Sequence, residues 1–367
     1  MHVRPTRAEI DLDRLAHNAS VVRRIAGRAK LAAVVKADAY GHGLETIAAR
    51  LVEVGVDGFA VALAEEGLAL RAIGVKQPIL VMNGVYDGAH REVVRHGLTP
   101  VVYDLGDVAR FCEQAEPGRP VSVHLKVDTG MGRLGVRADE LERFADALVR
   151  PELSVEGLMT HLASAEDDPE ATRAQLAELA RTKALLAARG VTPSITHAAN
   201  TAATLGHPEA RFDLVRVGLA LYGARPVAHD PIDLRPVMRV VSSVARVASI
   251  GVGETVGYGR TWTARRPSRV ATLAIGYGDG LMRHLSDRGE VLIRGHRCPI
   301  VGRVSMDLTG VDVTDLPVCE RGDEAVIIGA QGDDEIRPEE VAARAGTIAY
   351  EVMTSIAPRV PRVSVGG

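Results

Sequence analysis

Eight short runs of apolar, largely β-branched residues alternate with longer amphipathic stretches over the first two thirds of the chain, and this alternation restricts the fold more than any other feature. The runs are 31–35, 58–63, 78–82, 98–103, 121–127, 153–160, 194–197 and 212–217. Each is nearly continuous in apolar residues, as strands covered on both faces are. Helix-like segments lie between them, among them 64–73, 104–114 and 169–188, the last opening on a proline suited to a first helical turn. Eight such strands with intervening helices predict an α/β fold, a parallel (β/α)8 barrel. No GxGxxG follows the first strand, which argues against a dinucleotide fold.

The pattern changes after about residue 225. Pro226, Pro231 and Pro236 punctuate a linker, and Val- and Ile-rich runs separated by glycine turns follow at 237–250, 268–275, 290–293, 299–304 and 325–328. One short helix, 338–345, interrupts them. The chain of 367 residues therefore divides into a barrel, 1–230, and a mostly β C-terminal domain, 231–367, with residues 1–12 free to pair with the β domain.

A formal charge of −3 offers neither a basic face for nucleic acid nor an acidic tail, so a small-molecule substrate is expected. Cys112, Cys298 and Cys319 are far apart and odd in number, which suggests neither disulfides nor a zinc site; no metal is expected. The first residues lack the apolar core of a signal peptide and no run reaches membrane-spanning length, so the chain reads as cytoplasmic and soluble, with no membrane partner.

Polar residues gather where the predicted barrel strands end, the face on which such barrels carry their chemistry. Lys36 ends the first strand, Lys126 and Asp128 the fifth, His161 the sixth, His197 and Asn200 the seventh, and Arg216 the eighth. Any one alone would read as a structural hydrogen-bonder. Convergence of all on one rim favours a site. Lys36 stands out because the chain has only five lysines, and one that follows an apolar strand is partly desolvated, which favours its nucleophilic neutral amine. A snorkelling lysine is the plainer alternative.

The segment VVKADAYGHG around Lys36 resembles the cofactor-lysine motif of bacterial alanine racemases. The likeness continues in HLKVDTGMGRLGV (124–136), GLMTHLASAE (157–166), THAANTAATL (196–205), FDLVRVGLALYG (212–223), GETVGYGRTW (253–262), AIGYGDG (274–280), VGRVSMDLTGVDV (301–313) and TIAYEV (347–352). The resemblance implies an isomerase that interconverts L- and D-alanine with pyridoxal 5'-phosphate, supplying D-alanine for peptidoglycan. Lys36 would hold the cofactor and act as one base, and Tyr258 as the second on the opposite face. A proton removed from one side and returned to the other inverts the centre.

The same likeness assigns His161 to the cofactor and to Tyr258, and Arg216 to the pyridine nitrogen. It assigns the phosphate to Asn200, Thr201, Gly218, Leu219, Tyr40 and Tyr350. Asn-Thr before an Ala-rich segment is otherwise an ordinary helix cap. Arg133, Tyr277, Met306 and Asp307 would surround the substrate carboxylate and the entrance, and Lys126 matches a lysine carbamylated in several relatives. Tyr258, Tyr277, Met306 and Asp307 would come from the second subunit of a homodimer. A serine or broad-specificity racemase is the nearest alternative. A decarboxylase lacks support from its expected phosphate loop and cysteine motif, and a non-catalytic cofactor carrier would need neither the β domain nor Tyr258.

Overall fold

The computed structural model describes residues 4–86, 88–226 and 231–367. The expected domain boundary at 230/231 falls beside residues 227–230, which lie outside the described residues. Nineteen strands are described: β1 Arg7–Asp11, β2 Lys30–Val34, β3 Gly58–Val61, β4 Ile79–Val81, β5 Thr99–Val102, β6 Val121–Lys126, β7 Leu153–Met159, β8 Ile195–His197, β9 Leu214–Val217, β10 Met238–Ile250, β11 Thr255–Val256, β12 Trp262–Thr263, β13 Ser268–Leu273, β14 Glu290–Ile293, β15 His296–Pro299, β16 Thr309–Asp312, β17 Glu324–Gln331, β18 Asp334–Ile336 and β19 Arg362–Val365.

The eight expected runs form one parallel sheet in the order β9-β2-β3-β4-β5-β6-β7-β8. It closes on itself where the Asp213 N–H donates to the Thr196 carbonyl at 3.1 Å and the Arg216 N–H to the Ala199 carbonyl at 3.0 Å. Helices pack outside it, and β3, β4 and most of β2 and β5 are buried throughout. That is why these runs show no alternation of polar and apolar residues. The long helix Pro169–Ala188 starts where expected, with Asp168 accepting from the N–H groups of Glu170 and Ala171 and Pro169 at its first position.

The second sheet has nine strands and follows the path β15-β14-β17-β10-β1-β19, with β13 and β16 branching from β10, and β18 from β17. β1 sits antiparallel to β10 and parallel to β19. The beginning and end of the chain thus flank one another in the β domain. Arg239 ties this centre together through Glu9 on β1 (2.8 Å) and Glu324 on β17.

Two expectations for the β domain are corrected. The run 299–304 is not a strand: β14 and β15 form a hairpin through Arg294 and Gly295, both with positive φ, and only Ile300 makes an isolated bridge, to Val311. Ile300, Val301 and Val304 are buried, so the run is apolar because it is covered, not because it pairs. The domain also has a second helix, Ala349–Thr354, after Pro338–Ala345.

Asn18, fully buried on the helix Leu12–Ala26, holds the chain as it leaves the barrel. Its amide donates to the carbonyls of Leu221 (3.0 Å) and Arg235 (2.8 Å), and its Oδ1 accepts the Arg235 N–H (2.9 Å). Asn18→Ala strands three backbone groups, the Leu221 carbonyl among them buried, and we expect a loss of about 2–4 kcal/mol in unfolding free energy by urea titration. An unchanged midpoint would show that water replaces the side chain.

Candidate functional site

The chain leaves β2 through two buried valines and turns sharply at Lys36. Ala37, Asp38, Ala39 and Tyr40 all hold φ between 53° and 55°, a left-handed turn of four non-glycine residues. At about 1–2 kcal/mol per residue, such a turn survives only where surrounding contacts over-determine it. Gly41 follows at φ 77°, and a Cβ there would lie 2.4 Å from the Met353 carbonyl oxygen. The turn places Lys36 and Tyr40 on the same cavity.

Arg216 on β9 is buried beneath that cavity. Its Nη2 donates to the carbonyls of Thr160 (2.9 Å) and Ala198 (3.0 Å) and approaches His161 Nδ1 at 3.3 Å; Nη1 donates to His197 Nδ1 at 3.0 Å. A guanidinium can only donate, so His197 accepts at Nδ1 and carries its proton on Nε2. That proton goes to His124 Nδ1, 2.8 Å away. Gly157 makes room for this pair, since a Cβ there would fall 2.4 Å from the His124 ring.

Burial, then the charge of Arg216, pushes His161 down to about 3, with Arg133, Lys126 and Lys36 adding to the effect. His197 lies well below its ordinary value for the same first two reasons. Burial lowers Arg216 itself to about 10, which leaves it charged at neutral pH. Lys126, at the end of β6, is pushed to about 8 by burial and then by Arg216 and Arg133, with Asp128 opposing. Lys36 is lowered by burial and by Arg133, against the opposing charge of Glu66.

A cavity of about 370 Å³ opens over these groups. Lys36, Tyr40, His161 and Arg216 line it, and so do Asn200, Thr201, Gly218 and Tyr350. A cleft of about 630 Å³ at the opposite end of the barrel, near Arg91 and Arg119, is larger. Its lining has no lysine or histidine, whereas the smaller cavity gathers Lys36 and His161. Asn200 caps the helix Thr201–Gly206 by accepting the Ala203 N–H at 3.0 Å, and Thr201 Oγ1 accepts the Gly218 N–H at 3.2 Å. A Cβ on Gly218 would sit 2.4 Å from the Tyr40 hydroxyl, so the absence of a side chain there admits the phenol. Leu219 beside it is buried.

Tyr40 stacks on Tyr222 with ring centroids 4.7 Å apart and lies 5.8 Å from Tyr350. Burial raises the Tyr350 hydroxyl to about 12, and that of Tyr40 further still. Both remain neutral hydrogen-bonding groups at physiological pH.

Other expected residues are not gathered there within one chain. Tyr258 stands on a three-residue turn of the β domain, 73% exposed. Tyr277 and Met306 are also exposed, and the loops that carry them are bonded through Tyr277 N–H to Ser305 O and Gly278 N–H to Met306 O. Asp307 pairs with Arg359 at 2.8 Å. Arg133 is exposed on the loop after β6 and bears electrostatically on Lys36, Lys126 and His161. Asp128 is spent on its own loop, accepting from the N–H groups of Gly130, Met131 and Gly132. Met82, Met131, Glu166 and Ile348, all on the cavity wall, went unnoticed in the sequence. For Met82 the signal was its place at a strand end.

Fold and rim together define a (β/α)8-barrel protein with a lysine-centred site and an appended β domain. Residues 10–226 match the family model for the alanine racemase N-terminal domain, and 237–364 that for the C-terminal domain. An alanine racemase of Sorangium cellulosum is 47% identical, over 98% of this chain and 99% of its own. The crystal structure of alanine racemase from Bacillus anthracis with bound L-Ala-P has a TM-score of 0.90 at 34% identity, covering 100% of this chain and 96% of that one. That from Bartonella henselae with covalently bound pyridoxal phosphate has a TM-score of 0.90 at 32% identity, covering 98% and 99%. The chain belongs to the alanine racemase family, a family of pyridoxal-phosphate-dependent isomerases.

Proposed function

We infer that this enzyme interconverts L- and D-alanine with pyridoxal 5'-phosphate carried on Lys36, and that the division of labour follows the fold: residues 1–230, joined by Tyr350, hold the cofactor, and residues 231–367 supply the second base to the other subunit of a homodimer. The observation that carries this reading is the meeting of Lys36, Arg216 and the Tyr40–Tyr350–Thr201–Gly218 group on one cavity. An amine, a buried cation and a cradle of hydroxyl and backbone N–H donors match the aldehyde, ring nitrogen and phosphate of that cofactor. The comparisons do not favour the serine or broad-specificity alternative.

When bound, the cofactor supplies an electron-withdrawing ring conjugated to the substrate nitrogen, which acidifies the α-proton. The chain does the rest. Burial and Arg133 favour the neutral amine of Lys36, which can take up the α-proton from one face. Tyr258 would serve the opposite face, and a phenol needs help to act as a base near neutrality. His161 can give it: with Nδ1 turned to Arg216, its proton is on Nε2, free to steady a phenolate oxygen.

Arg216 would stand at the ring nitrogen. Because it donates and never accepts, it keeps that nitrogen unprotonated and moderates electron withdrawal. Asn200, Thr201, Gly218, Leu219, Tyr40 and Tyr350 would hold the phosphate. Arg133, Tyr277, Met306 and Asp307 would shape the carboxylate site and entrance. Lys126, at about 8, keeps enough neutral amine near pH 8 that it would add to carbon dioxide, forming a carbamate and releasing a proton to solvent.

The dimer is supported by the surface of the β domain, where Tyr258, Tyr277, Met306 and Leu308 are 73%, 42%, 53% and 47% exposed. That much large apolar surface is unusual for a face left to water. A place in the cytoplasm accords with three free cysteines, and D-alanine made there would serve peptidoglycan; among the described residues no helix is long and apolar enough to cross a membrane.

Purified holoenzyme should wash α-deuterium from both enantiomers of alanine faster than from serine, and borohydride should leave pyridoxyl on the Lys36 peptide. Labelling of Lys126 or Lys30 instead would overturn the assignment.

A further inference from the structure

The left-handed turn 37–40 has internal bonds that do not account for it. Ala39 N–H reaches the Val35 carbonyl at 2.9 Å and Gly43 N–H the Asp38 carbonyl at 3.1 Å, yet a chain of alanines and an aspartate would escape this conformation given the freedom. Two side chains from distant segments remove that freedom.

Glu66, on the helix Ala64–Ala72, grips the start. Its Oε1 accepts the Ala37 N–H at 2.6 Å, and its Oε2 accepts the N–H groups of Ala62 and Leu63 at 2.9 and 3.1 Å. One carboxylate thus joins the exit of β2 to the exit of β3. Arg362, on β19 at the far end of the chain, grips the finish. Its Nε donates to the Gly41 carbonyl at 2.9 Å, Nη1 to the carbonyls of Ala357 and Val360 at 2.7 Å each, and Nη2 to that of Ile356 at 2.5 Å. The hydrogen bonds of this guanidinium all go to backbone oxygens. Between the two grips, His42 Nδ1 donates to the carbonyls of Ala39 and Tyr40 from a fully buried ring.

We infer that Glu66 and Arg362 are positioning residues for the racemase reaction: from opposite ends they hold the left-handed turn that brings Lys36 and Tyr40 to one cavity. The C-terminal strand, through Arg362, thereby governs the geometry of the cofactor lysine of its own subunit. This rests on Lys36 being that lysine. A clamp that opposes local preference has a signature that general packing lacks: a glycine inside the turn, which takes positive φ without steric cost, should make the clamp less necessary.

The experiment compares wild-type holoenzyme with Glu66→Gln, Arg362→Met, Ala37→Gly and the Ala37→Gly/Arg362→Met pair. It reads amide hydrogen exchange over 37–43, the dissociation constant of pyridoxal phosphate, and kcat. Arg362→Met and Glu66→Gln should each speed exchange at His42 and Gly43 and weaken cofactor binding by about tenfold, with lower kcat, while β6 and β7 stay within about twofold. Adding Ala37→Gly to Arg362→Met should recover at least about threefold in both exchange and affinity. Unchanged exchange and affinity in the single variants would overturn the inference, as would a rise in exchange spread evenly over the barrel without rescue by glycine. Borohydride labelling of wild-type enzyme tests the Lys36 assignment by itself, so failure of that reading is told apart from failure of this one.

Discussion

Two nearly inactive variants, Lys36→Ala and Tyr258→Phe, should regain activity when their subunits are exchanged. Each alone should fall by about 10²–10⁴-fold, the usual contribution of a positioned acid or base. In a mixed dimer whose sites each take Lys36 from one subunit and Tyr258 from the other, one site carries both lesions and its mate carries neither. With equal amounts and random exchange, half the dimers are mixed, so about a quarter of all sites are wild type. That is a rise of at least about 25-fold over either parent. Tyr258, exposed and not part of the cavity wall in its own chain, is the structural reason to expect it. Different tags on the two variants verify the exchange. Verified mixed dimers with no recovery would place both bases in one subunit or remove Tyr258 from the reaction.

Acid should unfold this protein well before its carboxylates are neutralised. Burial holds His42 and His124 down at about 4, His161 at about 3, and His197 well below its ordinary value, whereas in the unfolded chain each returns to about 6.5. Above that pH both states are neutral at these positions. As the pH falls from about 6.5 towards 4, the unfolded chain binds protons that the folded chain refuses. Stability is therefore lost at up to about 1.4 kcal/mol per pH unit for each such histidine, and over two pH units the group is comparable with the whole stability of an ordinary domain, about 5–15 kcal/mol. Paired carboxylates such as Glu9 and Asp128, held low in the fold, add their loss only at lower pH. Urea midpoints between pH 7.5 and 4.5 read the effect, with borohydride-reduced enzyme separating it from acid release of the cofactor. A midpoint that stays level from pH 7 to 5 would mean that these rings are protonated in the folded state.

Much of the barrel was legible because its determinants are local. A strand covered on both faces must be apolar at every position, and runs such as 31–35 and 121–127 show this without reference to the rest of the chain. Asp168 before Pro169 marks a helix start by the same kind of short-range chemistry. The β domain was less legible. Ile300, Val301 and Val304 are as apolar as any strand but are buried in a bend, while β15, β16 and β19 contain His, Arg, Gly or Ser and acquire their pairing from neighbours far along the chain.

The site divides in the same way. Strand-end position alone drew attention to Lys36, Lys126, His161, His197 and Arg216, since residue type and place in a βα repeat are local facts. Nothing in KADAY announces four left-handed residues in succession, because their intrinsic preference is against it. The conformation is held by Glu66, which reaches Ala37 from the next βα unit, and by Arg362, 321 residues from Gly41.

 The Glu66 contact to Ala37 spans 29 positions in sequence, and such separations leave no trace in local composition.

The amino-acid sequence by itself determined the barrel, the change to a β domain and the rim positions of the polar groups, because apolar periodicity and strand-end chemistry are properties of neighbouring residues. Only the tertiary structure decided how Lys36 is presented, which tautomers His197 and His124 adopt, and that Tyr350 reaches the barrel rim while Tyr258 faces outward. These depend on contacts between segments far apart in the chain, whose combined free energy overrides what each segment would do alone.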